Sequence, residues 1–213
     1  MMDVLLLADL HGEYGKIESF LDLGAEAVFI AGDITNMGPL DTVDGLMSRI
    51  DVPCFAVPGN CDPLGIIEVL EHSDCVCLHG SLMNLGKITL AGVGGSNPTP
   101  FNTPFEMTDK QIDDLIHGFL PKMEKSTHNV LIAHAPPYGI LDMAGGNHVG
   151  SASIRKHMGA FDLVCCAHIH EQRGIAEEDG IKFVNPGMGA MGDCAMIHFG
   201  DEAKDIRIEL LSV

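Results

Sequence analysis

Residues 4–11 read Val-Leu-Leu-Leu-Ala-Asp-Leu-His, an apolar run that ends in two polar side chains. The run Val4–Ala8 has the length and composition of a buried strand. Side chains two residues apart in extended backbone face the same side, so we expect Asp9 and His11 to point together. A carboxylate beside an imidazole suits a divalent cation. The segment therefore predicts a core strand that carries metal ligands at its carboxyl end.

Four further apolar runs end in the same kind of residue. They are Val28–Ala31 before Gly32-Asp33, Phe55–Pro58 before Gly59-Asn60-Cys61-Asp62, Leu131–Ala133 before His134, and Leu163–Ala167 before His168-Ile-His170. Ligands of layered α/β sheets gather beyond the carboxyl ends of strands. Seven imidazole, carboxylate and amide groups are too many for one tetrahedral zinc and match two metals that share one carboxylate. Glycines at 32 and 59 let the chain approach such a cluster closely.

Apolar runs alternate with amphipathic stretches along the chain, which predicts an α/β layered fold. In Thr108–Phe119, Thr108 is a candidate N-cap with Gln111 three residues on. The segments Gly92–Pro104 and Ala135–Gly150 are predicted long loops, which in a compact domain are usually functional or mobile. The other predicted helices are Glu13–Leu23, Leu40–Arg49, Pro63–His72 and Ser151–His157. The predicted strands are Val4–Ala8, Ala27–Ala31, Cys54–Val57, Val130–Ala133 and Asp162–Cys166, then Ile88–Val93, Ile181–Val184, Ala195–Phe199 and Ile206–Leu210, the last four expected to pair antiparallel.

Composition narrows the classes of function. The 213 residues, 46% of them hydrophobic, fit a single domain spanning 1–213. A net charge of −18 argues against an extended nucleic-acid surface, whereas bound divalent cations would offset part of it. No apolar run approaches the roughly 18 residues of a membrane helix, and the first residues lack the basic leader of a secretory signal. The sequence leaves the oligomeric state open, and a homo-oligomer is compatible with it.

The seven cysteines form no CxxC pair. An odd number, several of them inside apolar runs, predicts reduced thiols in a cytoplasmic protein. Cys75-Val-Cys77 has two interpretations. It is either a redox or metal pair, or two small apolar residues at a strand edge.

In their order, the five motifs resemble those of the calcineurin-like metallophosphoesterases, whose signature runs DxH, GD, GNx(D/E), H, GHxH. The match extends from Asp9 to His170. The resemblance implies a four-layer α-β-β-α sandwich with two mixed sheets and the metals at the carboxyl-terminal edge of the strands. By position, it also implies Asp9, His11 and His170 on the first metal, Asn60, His134 and His168 on the second, and Asp33 bridging both.

The resemblance further implies a metal-dependent phosphoesterase that acts on a small phosphate ester. A hydroxide bridging two divalent ions would attack phosphorus in line, with Asp33 and Asn60 at the reacting centre. Mn²⁺ is the expected ion, with Fe, Zn, Ni and Mg as alternatives. The GNCD form at residues 59–62 resembles a small bacterial and archaeal branch that is often described as phosphodiesterases. Two rivals stay open: a metal-binding scaffold or interaction module without turnover, and a metal-dependent nuclease.

The chain departs from the family pattern at two positions. Ala167 stands where the last motif usually begins with Gly. Cys61 stands where a His assists the leaving group, and a thiol is a poorer acid than an imidazolium near neutrality. We therefore expect His148, in the second long loop, to protonate the leaving group. Asp62 is expected beside the ligands, where it orients one of them or, alternatively, caps the helix after Pro63.

The substrate is expected to contact Asn60 and the start of a helix near Gly150 and Ser151. Free amides at a helix start would cradle a phosphate. The alternative is an ordinary N-cap at Ser151. Asn97 with Pro98–Phe101 either shapes the substrate pocket or forms a plain surface loop.

Overall fold

Two six-stranded sheets lie face to face in the computed structural model, which describes residues 1–124 and 126–213. The helices are α1 (Ile17–Leu21), α2 (Asp41–Met47), α3 (Ile66–Glu71), α4 (Asp109–Phe119) and α5 (Ala152–His157). The strands are β1 (Met2–Leu7), β2 (Ala27–Ala31), β3 (Cys54–Val57), β4 (Cys75–Cys77), β5 (Leu82–Leu85), β6 (Ile88–Val93), β7 (His128–Ala133), β8 (Met143–Ala144), β9 (Asn147–His148), β10 (Leu163–Cys165), β11 (Gly174–Glu178), β12 (Ile181–Asn185), β13 (Asp193–Phe199) and β14 (Ile206–Ser212).

Both large sheets are mixed. The first has the order β14-β13-β1-β2-β3-β4, in which β1 to β4 are parallel, β13 pairs antiparallel with β1, and β14 pairs antiparallel with β13. The second has the order β11-β12-β10-β7-β6-β5, with its four central strands parallel and an antiparallel strand at each edge. The expectation of antiparallel pairing is confirmed for β13 and β14. It is incomplete for β6 and β12, which also pair in parallel with β7 and β10 because their partners come from distant parts of the chain.

The period-two alternation of each strand builds the layers. In β1, Val4 and Leu6 point into the core between the two sheets, whereas Leu5 and Leu7 pack under α1, α2 and α3 on the outer face. In β7, Leu131 packs under α4 and α5 on the opposite outer face. The result is the expected four-layer α-β-β-α sandwich.

Sequence and structure differ mainly at element ends. Helix α4 keeps its predicted start, because Thr108 and Gln111 form a reciprocal capping box. Helices α1 and α3 start later than predicted, since the preceding residues form turns in which the Ile17 and Ile66 amides donate to carbonyls three residues back. The second long loop contains the small hairpin of β8 and β9. Strands β5 and β11 escaped prediction because they are half exposed and contain polar residues, and β4 was anticipated only as apolar residues at a strand edge.

The cysteines agree with the interpretation of Cys75-Val-Cys77 as apolar residues at a strand edge. All seven are free, and Cys75 packs with Cys54 beneath the outer face of the first sheet, their sulfurs 3.3 Å apart. Strand β4, which holds Cys75-Val-Cys77, forms the edge of that sheet. Among the described helices, none combines the length and hydropathy needed to cross a membrane.

Candidate metal centre

The seven predicted ligands converge at one edge of the sandwich. Each follows the carboxyl end of a parallel strand, namely β1, β2 and β3 in one sheet and β7 and β10 in the other. Because parallel strands end at the same edge, residues far apart in the chain meet there. Asp9, Asp33, Asn60 and His134 are buried, whereas the three remaining histidines are partly exposed. The cluster is therefore shielded from solvent on the side of the four buried residues and open to solvent on the side of His11, His168 and His170.

Three residues form the first group. The Nε2 atoms of His11 and His170 lie 3.3 Å apart, and the rings meet edge to face. The Nε2 atom of His170 lies 3.6 Å from Oδ1 of Asp9. Ligands on one cation at about 2.0–2.2 Å are separated by distances of this order. The group is therefore shaped to hold one ion.

A second group lies on the other side of Asp33. The Nε2 atom of His134 lies 2.8 Å from Oδ1 of Asn60, and the His134 ring centroid is 5.1 Å from that of His168. Asp33 joins the two groups, since its Oδ2 is 3.7 Å from Nε2 of His11 and its Oδ1 is 3.4 Å from Nε2 of His134. The carboxylate therefore faces both groups at once.

Two features test whether these residues fit cations. The Nδ1 atom of His134 lies 2.8 Å from the carbonyl oxygen of Ala31, which accepts only, so in the neutral ring Nδ1 carries the proton. The lone pair of Nε2 then faces the Asn60 oxygen, another acceptor. Both carboxylate oxygens of Asp9 are buried and, among the described residues, have no hydrogen-bond partner. Buried acceptors of this kind need a positive partner, so the donor set fits divalent metal ions.

The protonation of the histidines agrees with this fit. Burial and the neighbouring His134 lower the pKa of His168 to about 3, which keeps its ring neutral and free to ligate. The Asp9 carboxylate, 3.6 Å from the His170 ring nitrogen, raises the pKa of His170. A cation at this position would take the place of that proton.

Unusual backbone conformations are concentrated at the site. Asp9, His11, Asp33 and His168 have φ values of 51°, 47°, 49° and 70°, in the left-handed region that residues with a Cβ rarely adopt. Such strain clusters at functional sites. At Gly59, an added Cβ would lie 2.0 Å from Oδ1 of Asp33, so only glycine fits there.

Asp62 ties two ligand loops together. Its fully buried carboxylate accepts hydrogen bonds from the amides of Ile34, Thr35 and Gly59 at 3.1, 2.6 and 2.8 Å. Those amides flank Asp33 and Asn60. Helix α3 begins only at Ile66 with Gly65 at its N-cap, so Asp62 does not cap it. The geometry therefore favours the orienting role over the cap.

The two departures from the family pattern have different surroundings. The amide of Cys61 donates to Oδ1 of Asp33 at 2.8 Å. Burial and the nearby Asp33 charge raise the pKa of the Cys61 thiol to about 12. Ala167 is fully buried in the core between the sheets, where its methyl group is accommodated.

The predicted acid, His148, lies on β9 and bonds Oδ1 of Asp142 through Nδ1 at 2.6 Å, while its ring packs against Tyr138. The buried Asp142 escaped sequence analysis because no apolar strand precedes it. Burial raises the pKa of Asp142, but hydrogen bonds from Gly139 and His148 outweigh it and lower that pKa overall. The assignment of His148 as the acid stays a prediction.

The helix start near Gly150 and Ser151 differs from the expected phosphate cradle. Both residues are buried, and their amides donate to Asp142 and to the Pro136 carbonyl. The Ser151 hydroxyl accepts from the Ile154 amide as the N-cap of α5. Because both amides already have acceptors, Ser151 is an ordinary N-cap, and the expected phosphate cradle at Gly150 and Ser151 is not what the structure shows.

An open cleft of about 540 Å³ adjoins the metal ligands. His168 and His170 line one part of it, and Asn97 with Pro98–Phe101 lines another. The Phe101 side chain is 78% exposed. This placement favours the substrate-pocket interpretation of that loop over a plain surface loop.

A separate group of Asp113, His117 and His157 lies between α4 and α5. Here the Lys156 ammonium bonds the Asp113 carboxylate at 2.9 Å, and His157 bonds the same oxygen at 2.7 Å. The charge is already balanced by these partners, so the group acts as an ion-pair contact between the two helices.

Comparisons with known proteins agree with this architecture. The chain is 35% identical over 197 residues to an uncharacterized protein of Methanocaldococcus jannaschii, covering 87% of this chain and 88% of that one. A Thermus thermophilus protein superposes with a TM-score of 0.75 at 18% identity, covering 99% and 98% of the two chains. A structure described as a novel archaeal phosphodiesterase superposes with a TM-score of 0.52 at 14% identity, covering 99% and 100%.

The family described as calcineurin-like phosphoesterase matches residues 2–172, a span that holds all seven predicted ligands. The family implies divalent metal ions, and the donor groups described above fit such ions. This chain belongs to the calcineurin-like phosphoesterase family.

Proposed function

We propose that this protein hydrolyses a small phosphate ester, preferably a diester, with two divalent cations bound at the cluster. One observation carries the proposal. The two oxygens of the Asp33 carboxylate face different ligand groups, with Oδ2 3.7 Å from His11 and Oδ1 3.4 Å from His134. That arrangement is expected of a carboxylate shared by two ions.

In this proposal Asp9, His11 and His170 hold one ion, Asn60, His134 and His168 hold the other, and Asp33 bridges them. Two such ions supply a water of lowered pKa and a positive clamp on phosphate oxygens. The chain's own part is to fix the donor atoms. The Ala31 carbonyl orients the His134 ring, and Asp62 holds the loops that carry Asp33 and Asn60. Donors held by such contacts need little rearrangement when substrate binds.

The cleft supports a diester over a monoester. Its described lining is largely apolar, with Pro98, Pro100, Val149 and Ile169, and contains Glu171 but no Lys or Arg. A monoester dianion carries more charge into this setting than a diester monoanion, and beyond the two cations no Lys or Arg of the described lining offsets it. An apolar wall instead suits the uncharged second ester group of a diester. The GNCD sequence at 59–62 points the same way.

The mixed imidazole, carboxylate and amide donors suit borderline and hard ions. We propose Mn²⁺ as the working ion, with Fe, Zn, Ni and Mg as alternatives. Metal analysis of protein purified without chelator tests this assignment.

The decisive experiment measures hydrolysis of an aryl phosphodiester and an aryl phosphomonoester with Mn²⁺, together with bound metal. We expect the wild type to bind two ions and to prefer the diester. Asp33→Asn should lose activity by on the order of 100-fold or more, because the shared ligand loses its charge. Asp113→Asn, in the α4–α5 contact, is the matched control and should retain activity.

Other results would favour the rivals. A wild type that binds two ions but hydrolyses no ester would indicate a scaffold. Activity confined to single-stranded or duplex DNA would indicate a nuclease.

A further inference from the structure

The loop of residues 97–105, called here the cleft loop, is hydrogen-bonded directly to the predicted ligand Asn60. The Asn60 side-chain nitrogen Nδ2 donates to the Thr103 hydroxyl at 3.0 Å. The Phe105 backbone amide donates to the backbone carbonyl oxygen of Asn60 at 3.0 Å. Thr103 lies in the segment that follows Asn97–Phe101, which lines the cleft. One ligand is thus held by a loop 43 residues further along the chain.

Glu106 in turn holds Thr103. Its Oε1 atom accepts from the Thr103 hydroxyl at 2.7 Å and from the Thr103 amide at 2.8 Å. The same oxygen accepts from the Thr99 hydroxyl at 2.6 Å. A single carboxylate therefore fixes both Thr99 and Thr103 in the cleft loop.

The donor-to-acceptor direction of these hydrogen bonds decides whether the oxygen or the nitrogen of the Asn60 side-chain amide faces the ligand cluster. An ionised carboxylate only accepts, so the single Thr103 hydroxyl proton is committed to Glu106. The hydroxyl oxygen can then only accept, and it requires the NH₂ end of Asn60. The Asn60 oxygen is left facing His134 at 2.8 Å, where a cation ligand must be.

We propose that Thr103 and Glu106 are positioning residues that hold the Asn60 oxygen toward the second metal. Without the Glu106 carboxylate, the Thr103 hydroxyl can donate its proton to the Asn60 side-chain oxygen instead. The Asn60 amide can then turn its nitrogen, which binds no cation, toward the metal site. The inference rests on the proposed function for the identity of the metal site. It adds that cation affinity depends on two residues that touch neither ion nor substrate.

The test compares Thr103→Val with Thr103→Ser in the full chain. Valine has nearly the shape of threonine but no hydroxyl, whereas serine keeps the hydroxyl. We expect Thr103→Val to weaken the affinity for one of the two Mn²⁺ ions by about 10–100-fold, measured by calorimetry, and Thr103→Ser to restore it. Glu106→Ala should resemble Thr103→Val, and Glu106→Gln, which keeps an acceptor, should fall between it and the wild type.

A second readout is independent of turnover. Visible absorption of the Co²⁺-loaded protein reports the donor atoms around the ion and should change in Thr103→Val but not in Thr103→Ser. Thr42→Val removes another threonine hydroxyl, bonded to the Pro39 carbonyl outside the ligand cluster, and should change neither readout.

Wild-type affinity and spectrum in both Thr103→Val and Glu106→Ala would overturn the inference, as would equal loss in Thr103→Val and Thr103→Ser. Thermal unfolding of the chelator-treated variants shows whether each is folded. If Thr103→Val does not fold, the comparison of Glu106→Ala with Glu106→Gln decides the outcome. Failure of the proposed function looks different, because the wild type would then bind two ions without hydrolysing either ester.

Discussion

The Nε2 atom of His134 lies 2.8 Å from Oδ1 of Asn60, while the Nδ1 atom of the same ring bonds the Ala31 carbonyl. In the neutral ring, the second bond places the proton on Nδ1, so the lone pairs of Nε2 and Oδ1 face each other in a buried position. A cation that both atoms ligate would make this contact favourable.

Metal binding should accordingly raise stability. At a free Mn²⁺ concentration 100 times the dissociation constant, linkage gives about 2.7 kcal/mol for each bound ion, or roughly 5–10 °C per ion in the melting temperature of a chain of this size. Calorimetry with Mn²⁺ and with chelator measures the difference. Asp33→Asn serves as the control and should show a smaller shift. Identical melting temperatures with and without metal would contradict a site in these residues.

Gly59→Ala should disrupt the site by crowding. The new Cβ would lie 2.0 Å from Oδ1 and 2.1 Å from the amide nitrogen of Asp33, so a ligand or the backbone must move. We expect a loss on the order of 3 kcal/mol in unfolding free energy, together with weaker metal binding. The matched control is Gly118→Ala, at an exposed position of helix α4, where an added Cβ meets nothing within 4 Å and should stabilise by up to about 1 kcal/mol. A neutral Gly59→Ala in denaturant titrations would contradict this packing.

Asp62→Ala should weaken both the fold and the site. Removing the carboxylate leaves the buried amides of Ile34, Thr35 and Gly59 without partners, at about 1–3 kcal/mol for each unsatisfied group. Because these amides position Asp33 and Asn60, metal affinity should fall by about 10–100-fold. Urea unfolding and metal titration measure the two effects, with the exposed Asp51→Ala as control. Unchanged affinity in a folded Asp62→Ala would rule out the orienting role.

Acid should weaken the contact between α4 and α5. Bonds from Lys156 and His157 lower the pKa of Asp113 to about 2. A lowered carboxyl pKa stabilises the fold above the unfolded value near 3.9, and this contribution is lost as the pH falls toward about 2. The stability difference between wild type and Asp113→Asn should therefore shrink between pH 5 and pH 2.5 in urea titrations. A difference that grows toward low pH would reverse the sign and refute the assignment.

Strong local patterns made much of the fold predictable. The first strand was anticipated from Val4–Ala8, and α4 from the Thr108 cap with Gln111. The half-exposed strand Gly174–Glu178 lacks an apolar run and was missed, whereas Cys75–Cys77 was anticipated only as apolar residues at a strand edge. The sequence left open whether Gly150 and Ser151 form a phosphate cradle or an ordinary N-cap, because it does not show that Asp142 and the Pro136 carbonyl already bond their amides.

The sequence by itself determined which residue types follow each core strand, since apolar runs and the polar groups after them are local features. The motif order implied that Asp33 joins the two ligand groups, but only the tertiary structure decided its distances to His11 and His134, and the bonds by which Thr103 and Glu106 hold Asn60. Those relationships join residues tens of positions apart, and they depend on how two sheets pack and where a loop returns. Local patterns carry no information on such distances, because side chains meet across the sandwich only after both sheets have formed.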